Sequence, residues 1–410
     1  MPKDNMQFND VSAKSSNTNK VKHNSSQNRN RNNTNKKSYK MYLIGGIVCF
    51  VLLVAYIITA ILHPVGVMEY LKSIYYNIGT GKGYDVELTG GKPIYTIGDS
   101  SRYYVVSSSS VDCFNKNGKT IFKRSHSFTK PVIKTAETRY LLYGQGERVL
   151  YVSTLADNLY TVNLQNGITT ADISDSGVFA VASKSEGYSS SVTVYSKKNE
   201  KIFEWFSPDE VINYIELSKN GNLLAVSTLK VADGKYISSV YILNFKSADP
   251  IYKKVYSDDV IYQIIATNSS TFCTVLSDNI EFINYKKDQV SSFKSDYSVN
   301  IVKFIDDKVI TARSVAANQD ESIIEVYKKN GERICSFNVV DHITDFSYKS
   351  NRLFLLGVHD VYKYNTDGEL LATIKADYDL LFVEAISSNN LALIKNSSIT
   401  KSSITNPEEQ

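Results

Sequence analysis

Two stretches, Glu325-Val-Tyr-Lys-Lys-Asn-Gly-Glu-Arg-Ile334 and Val361-Tyr-Lys-Tyr-Asn-Thr-Asp-Gly-Glu-Leu370, share one pattern. A short apolar strand ends in an aromatic residue, a polar turn follows, and a second short strand begins. The Asn-Gly and Asp-Gly pairs supply the positive-φ positions that a tight hairpin needs. The pattern recurs as Asp112-Cys-Phe-Asn-Lys-Asn-Gly-Lys-Thr-Ile-Phe122, Thr193-Val-Tyr-Ser-Lys-Lys-Asn-Glu-Lys-Ile-Phe203 and Glu281-Phe-Ile-Asn-Tyr-Lys-Lys-Asp-Gln-Val290. Weaker copies sit at 160–167 and 241–251.

From Tyr195 the aromatic before each turn advances through Phe245, Tyr285, Tyr327 and Tyr364 in steps of 50, 40, 42 and 37 residues. Phe114 lies 81 residues before Tyr195, room for one further unit. A four-stranded unit of about 40–45 residues is the period of a propeller blade, whereas a sandwich or simple barrel has no reason to repeat at that length. A second element, Ser174-Asp-Ser-Gly-Val-Phe-Ala-Val-Ala-Ser183, matches Ser218-Lys-Asn-Gly-Asn-Leu-Leu-Ala-Val-Ser227 in register and reads as a turn into a small-residue strand near the axis.

Units at 93–123, 131–165, 168–206, 211–256, 260–294, 299–338 and 341–375 are complete, and Leu380–Ile404 supplies three more strands. The orphan strand Tyr84-Asp-Val-Glu-Leu88 is the natural fourth. Joining the two ends closes the ring and removes the exposed edges that would template aggregation. The expected fold is therefore an all-β propeller over 84–404, of eight blades with seven as the alternative, because the 131–165 unit is the least clearly patterned. Residues 405–410 are a short tail.

Upstream, the texture is different. Residues 41–62, MYLIGGIVCFVLLVAYIITAIL, contain no charge. At about 1.5 Å rise per residue they span the ~30 Å hydrocarbon layer. The run is too long, and its preceding basic region too extended, for a cleaved secretory signal. Residues 1–40 carry nine Lys/Arg against Asp4 and Asp10 and almost no aliphatic residue, and are expected to be a disordered basic tail. Only Lys72 and Lys82 follow within twenty residues of the span, so the positive-inside rule places the tail in the cytoplasm and the propeller outside. Residues 63–83 have an approximate apolar helical stripe and a Gly-rich end, and read as an amphipathic stalk or linker.

The formal charge of +4 belongs to the tail, leaving residues 41–410 slightly acidic, which argues against a nucleic-acid partner. Cys113, Cys273 and Cys335 are scattered and, apart from Cys49 in the span, are the only cysteines; packed thiols fit them better than a disulfide framework or zinc site.

A basic Asn/Lys-rich tail, one signal anchor, a Tyr-rich stalk and a divergent propeller together resemble a domain-of-unknown-function family of single-pass membrane proteins of Gram-positive bacteria. The resemblance rests on architecture and implies no activity. The blades also resemble WD40-like and quinoprotein-like propellers, but no Trp-Asp dipeptide occurs and Trp205 is the only tryptophan, which counts against a quinone cofactor.

Motifs for chemistry are sparse. His126, His342 and His359 are the histidines beyond the span and its flank; Asp341-His342 and His359-Asp360 are adjacent, and neighbours on a strand point to opposite faces. The acidic pairs Asp258-Asp259, Asp306-Asp307 and Asp320-Glu321 fall at turns. Ser174-Asp175-Ser176-Gly177 partly resembles the Asp-box turn of sialidase-type propellers without its aromatic ending, and Ser107–Ser110 reads as an exposed hairpin. No catalytic, cofactor-binding or metal-binding residue is assigned and no cofactor is expected. The expected partners are the lipid bilayer, through 41–62, and an envelope protein or glycan; most of the 29 tyrosines read as packed, half-buried strand residues, and the remainder could line a face that stacks on sugars or peptides. The leading expectation is an interaction or scaffold module of the cell envelope; the alternative is a glycan-active hydrolase or lyase using loop carboxylates at the propeller mouth.

Overall fold

The repeated aromatic residues show how the chain folds. In the computed structural model, which describes residues 25–99, 101–315 and 318–405, the strands form eight four-stranded antiparallel sheets. Blade one is built from Pro93–Gly98, Arg102–Ser107, Ser110–Asn115 and Thr120–Ser125, and blades two to seven repeat that meander. We call the strands of each blade a to d from the axis outward. Blade eight takes its a, b and c strands from Leu380–Ala385, Asn390–Lys395 and Ser398–Ser403, and its outer strand from Val86–Glu87. Val86 lies opposite Ile399 and Glu87 opposite Ser398, so residues from both ends of the β region close the ring.

The buried apolar residues gather into eight clusters, each bridging two consecutive blades, the last joining blade eight to blade one through Ile394, Ile399, Tyr103 and Phe114. Here the recurring aromatic has its purpose. Tyr195 stacks on Phe179 at 4.9 Å in the interface with blade two, Tyr327 meets Phe293 of blade five at 4.7 Å, and Tyr364 meets Phe337 of blade six at 4.8 Å. The c strands of blades three, six and seven thus end in a ring at the interface with the preceding blade, whereas those of blades two and eight, Val149–Thr154 and Ser398–Ser403, end without one. Phe114, Tyr195, Tyr327 and Tyr364 also lie at register shifts.

The turn after the aromatic is longer than a two-residue hairpin. Gly118 N–H donates to Asn115 O, and Asn115 N–H donates to Lys119 O. A type I turn is thereby followed by one left-handed residue, Gly118 at φ 82°, with Gly331 and Gly368 the same.

A second set of bonds stitches the inner strands together. Asp172 in blade three accepts the Leu217 N–H of blade four at 2.7 Å, and Glu216 in blade four accepts Ala266 N–H of blade five at 3.2 Å. Asp345 in blade seven accepts Val383 N–H of blade eight at 3.0 Å. Inner edges are left unpaired by the blade geometry, and these side chains satisfy them.

Two compact units divide the chain at Leu62 and His63. The first holds helix α1, Ser25–Leu62, in which Tyr39–Leu62 is long and apolar enough to cross a membrane. Residues 1–24 of the basic tail lie outside the described residues. The second unit holds the propeller and helix α2, Val67–Asn77, which packs against the blades.

Candidate functional site

In every blade the a–b and c–d turns fall at one end of the ring and the b–c turns and d–a connections at the other, as the antiparallel meander requires. At the first end lies a central depression of about 930 Å³. Its walls are the a–b turns of blades one, two, three, four and six, with α2 along one side.

The turns are tied to one another around the mouth. Arg102 of blade one donates to Glu137 O of blade two, and Glu137 N–H donates to Asp175 Oδ1 of blade three at 2.9 Å. Asp175 N–H donates to Lys219 O of blade four at 3.0 Å. Lys219 Nζ then stands 3.7 Å from Asp307 Oδ1 and 5.0 Å from the Phe304 ring, both in blade six. Blade five is skipped by that last contact; its Thr267 hydroxyl instead donates to Lys329 O at 2.8 Å, and Lys329 Nζ pairs with Asp307 at 3.1 Å.

Carboxyl groups lining the depression have divergent acidities. Burial raises the Asp175 carboxyl above the usual range, while the Lys329 ammonium, seconded by Lys219, holds Asp307 below it.

Below the mouth the inner strands carry a buried ionic cluster. Lys134 of blade two stands 3.9 Å from Asp172 of blade three and 3.7 Å from Glu216 of blade four, and donates to the Tyr214 hydroxyl at 2.9 Å. Two acids share one ammonium; burial first, then Asp172, pushes the Glu216 carboxyl up to about 8.

Helix α2 is fastened by its polar side. Glu69 accepts from Arg139 Nε at 2.8 Å and Nη2 at 2.9 Å and from the Thr138 hydroxyl at 2.8 Å, while Arg102 Nη1 donates to Ser73 at 3.2 Å. Asn115 donates to Asn77 O at 2.8 Å, and Lys119 caps the last carbonyls, reaching Tyr76 O at 2.9 Å and Ile78 O at 2.7 Å.

Of the acidic pairs singled out in the sequence, only Asp306-Asp307 reaches the depression. Asp258-Asp259 sits in the connection from blade four to blade five, at the opposite end, where Asp259 accepts from Ser277 and Val260. Asp320-Glu321 begins the c strand of blade six, also toward that end. His126 and His342 lie in d–a connections and His359 in the b–c turn of blade seven, so none approaches the depression. Ser107–Ser110 spans the b–c turn of blade one, whereas Ser174–Gly177 forms the a–b turn of blade three and brings Asp175 to the mouth. Cys113 and Cys273 are buried free thiols and Cys335 a half-buried one. Among the described residues no three His, Cys, Asp or Glu side chains are grouped to hold a metal ion. Asp99, Glu137 and Lys219 have no sequence signal beyond a charge in a turn; only aligning the a–b turns of all blades would have found them.

The fold and its ring of a–b turns define the class: an eight-bladed β-propeller with a central depression at one end. The chain belongs to the DUF5711 family, a family of unknown function, whose pattern matches residues 75–404. Among solved structures it is similar to the Dos1 propeller, at 10% identity and TM-score 0.54 over 79% of this chain and 95% of that one. Similar too are the dihydro-heme d1 dehydrogenase NirN in complex with DHE (10%, 0.53, 79% and 80%) and the C-terminal WD40 domain of Sif2 (11%, 0.50, 78% and 98%). At these identities the likeness is one of fold. No curated protein matches the chain.

Proposed function

We propose that this protein is a membrane-anchored, extracytoplasmic interaction or scaffold module of the cell envelope, and that its partner docks into the depression at the α2 end of the ring. The observation that carries this reading is the mouth itself. Five of eight a–b turns project charged or aromatic groups into one opening of about 930 Å³, on a ring whose interfaces hold it rigid. Rigid scaffolds with variable turns are how propellers present binding surfaces. The apolar segment Tyr39–Leu62 supports anchoring, and the excess of basic residues before it supports an outside location for the ring. Asp99, Glu137, Asp175, Asp306 and Asp307 outnumber Arg102 and Lys219 in the lining, which favours a polar partner with cationic character, either a protein segment or an amino-sugar polymer. Crosslinking pull-downs with the full chain from its own membranes test this. A protein or wall polymer should be captured by the native chain and lost with Phe304→Lys, which sets a like charge against a cationic partner; capture of neither, or capture unaffected by Phe304→Lys, would sink the reading.

The opposed acidities of Asp175 and Asp307 favour a second reading, a glycan-active hydrolase or lyase. Incubation of the full chain with envelope glycans tests it: cleavage abolished by Asp175→Asn supports an enzyme, and intact glycan after incubation excludes it.

A further inference from the structure

We propose that the outward side of α2 is seated in the lipid–water interface, which turns the a–b end of the ring toward the bilayer. This rests on the reading of Tyr39–Leu62 as a membrane span. A surface helix of a soluble domain turns its apolar stripe inward and its polar side to water. Helix α2 does the reverse. On a 3.6-residue helix Glu69, Tyr70, Ser73, Tyr76 and Asn77 fall on one side and are half-buried, as is Val67 at the helix start, so the inward side mixes two tyrosines with the polar groups that fasten it. Met68, Leu71 and Tyr75 fall on the other, with exposures of 69%, 49% and 74%, and Ile78 just past the helix extends them. The two-pronged Glu69–Arg139 contact and the Arg102–Ser73 bond prevent the helix from rolling to hide that side.

The occupant follows from the chain itself. Only His63–Gly66 separates the end of α1 at Leu62 from the start of α2 at Val67. Fully extended, that link reaches no farther than about 18 Å, and the Gly66 N–H bond back to His63 O shortens it. A helix leaving a span within that distance is at the headgroup level. There an apolar side with an exposed tyrosine and a flanking lysine, Lys72, has the composition of an interfacial helix. The depression would then open toward the membrane surface, and its partner would be one that sits there.

The test uses the full chain in liposomes of phosphatidylcholine and phosphatidylglycerol. Cys49→Ala and Cys335→Ser remove the accessible thiols, Cys113 and Cys273 being buried. Nitroxide labels are placed singly at Leu71→Cys and Tyr75→Cys, at Leu53→Cys within the span, and at Tyr378→Cys on an exposed connection as the water reference. Collision with oxygen is compared with collision with a water-soluble nickel chelate. The expected result is an oxygen-to-nickel ratio several-fold higher at 71 and 75 than at 378, and highest at 53. A water-like ratio at 71 and 75 with a lipid-like one at 53 overturns the interfacial seating alone. Protection from both collision partners at 71 and 75 overturns it in favour of a second copy or a protein cover. A water-like ratio at 53 overturns the anchor and this proposal together.

Discussion

Glu69 on α2 grips Arg139 of blade two with both carboxylate oxygens, at 2.8 and 2.9 Å. Arg139 is buried and its Nη1 also donates to Lys197 O at 2.8 Å in blade three, so one side chain links the helix to two blades. Replacing Glu69 by Ala leaves a buried guanidinium without its carboxylate. The expected cost is about 2–3 kcal/mol, concentrated on α2. Amide exchange over 67–77 should speed up strongly while the inner strands keep their protection.

Glu216, Asp172, Lys134 and Tyr214 give the ring a pH dependence. The ordinary Glu value is 4.5 and that of folded Glu216 about 8, so between these values the folded chain holds a proton that the unfolded chain has released. Stability is full below about 4.5 and is lost as pH rises toward about 8. Burial raises Asp172 as well, which adds a loss of the same sign above the normal Asp range. Thermal melts of the native chain should fall from pH 5 to pH 8.5, and Glu216→Gln, which still accepts Ala266 N–H, should flatten that slope. Parallel slopes for the two chains would contradict the assignment.

Two glycines separate backbone strain from crowding. Gly146 has φ 85° with open space where a Cβ would stand, whereas at Gly331, φ 88°, the Cβ would lie 2.7 Å from Phe282 Cβ of the neighbouring blade. Gly146→Ala should cost about 1–2 kcal/mol from the left-handed backbone alone. Gly331→Ala should cost clearly more in denaturant unfolding, since the turn must also retreat from blade five.

The closing strand is two residues long, yet Val86 packs with Tyr103, Phe114 and Ile399 at the seam between blades eight and one. Val86→Asp places a carboxylate there and should cost about 2–4 kcal/mol. Limited proteolysis should then cut first within 84–92 and 396–404, where native protein resists.

How much of this was legible depended on whether each signal was local. The copies ending in Phe114, Tyr195, Tyr327 and Tyr364 were readable because ring and turn lie within ten residues, and they led to the blade period and the eight-blade closure. Blade two was faint because its c strand ends in Ser153-Thr154, without the aromatic residue that marks the turn in the clear copies. The stitching acids Asp172, Glu216 and Asp345 were invisible: a lone acid in a strand reads as solvent-facing, and the N–H it satisfies belongs to the next blade. At the mouth, Asp306-Asp307 stood out as a pair, but Asp99, Glu137 and Lys219 are single charges brought together only by closing the ring. The stripe on α2 was readable as amphipathic; that its polar side would dock was not, since the Arg139 that holds Glu69 is 70 residues away.

The most direct test of an anchored ring that binds at its α2 end is photocrosslinking in intact cells. A photoreactive residue replaces Asp306 at the mouth or Tyr378 at the far end of the full chain. A discrete adduct with an envelope protein or glycan is expected from position 306, absent at 378 and lost with Phe304→Lys. Adducts from 378 alone, or none from either position, would contradict it.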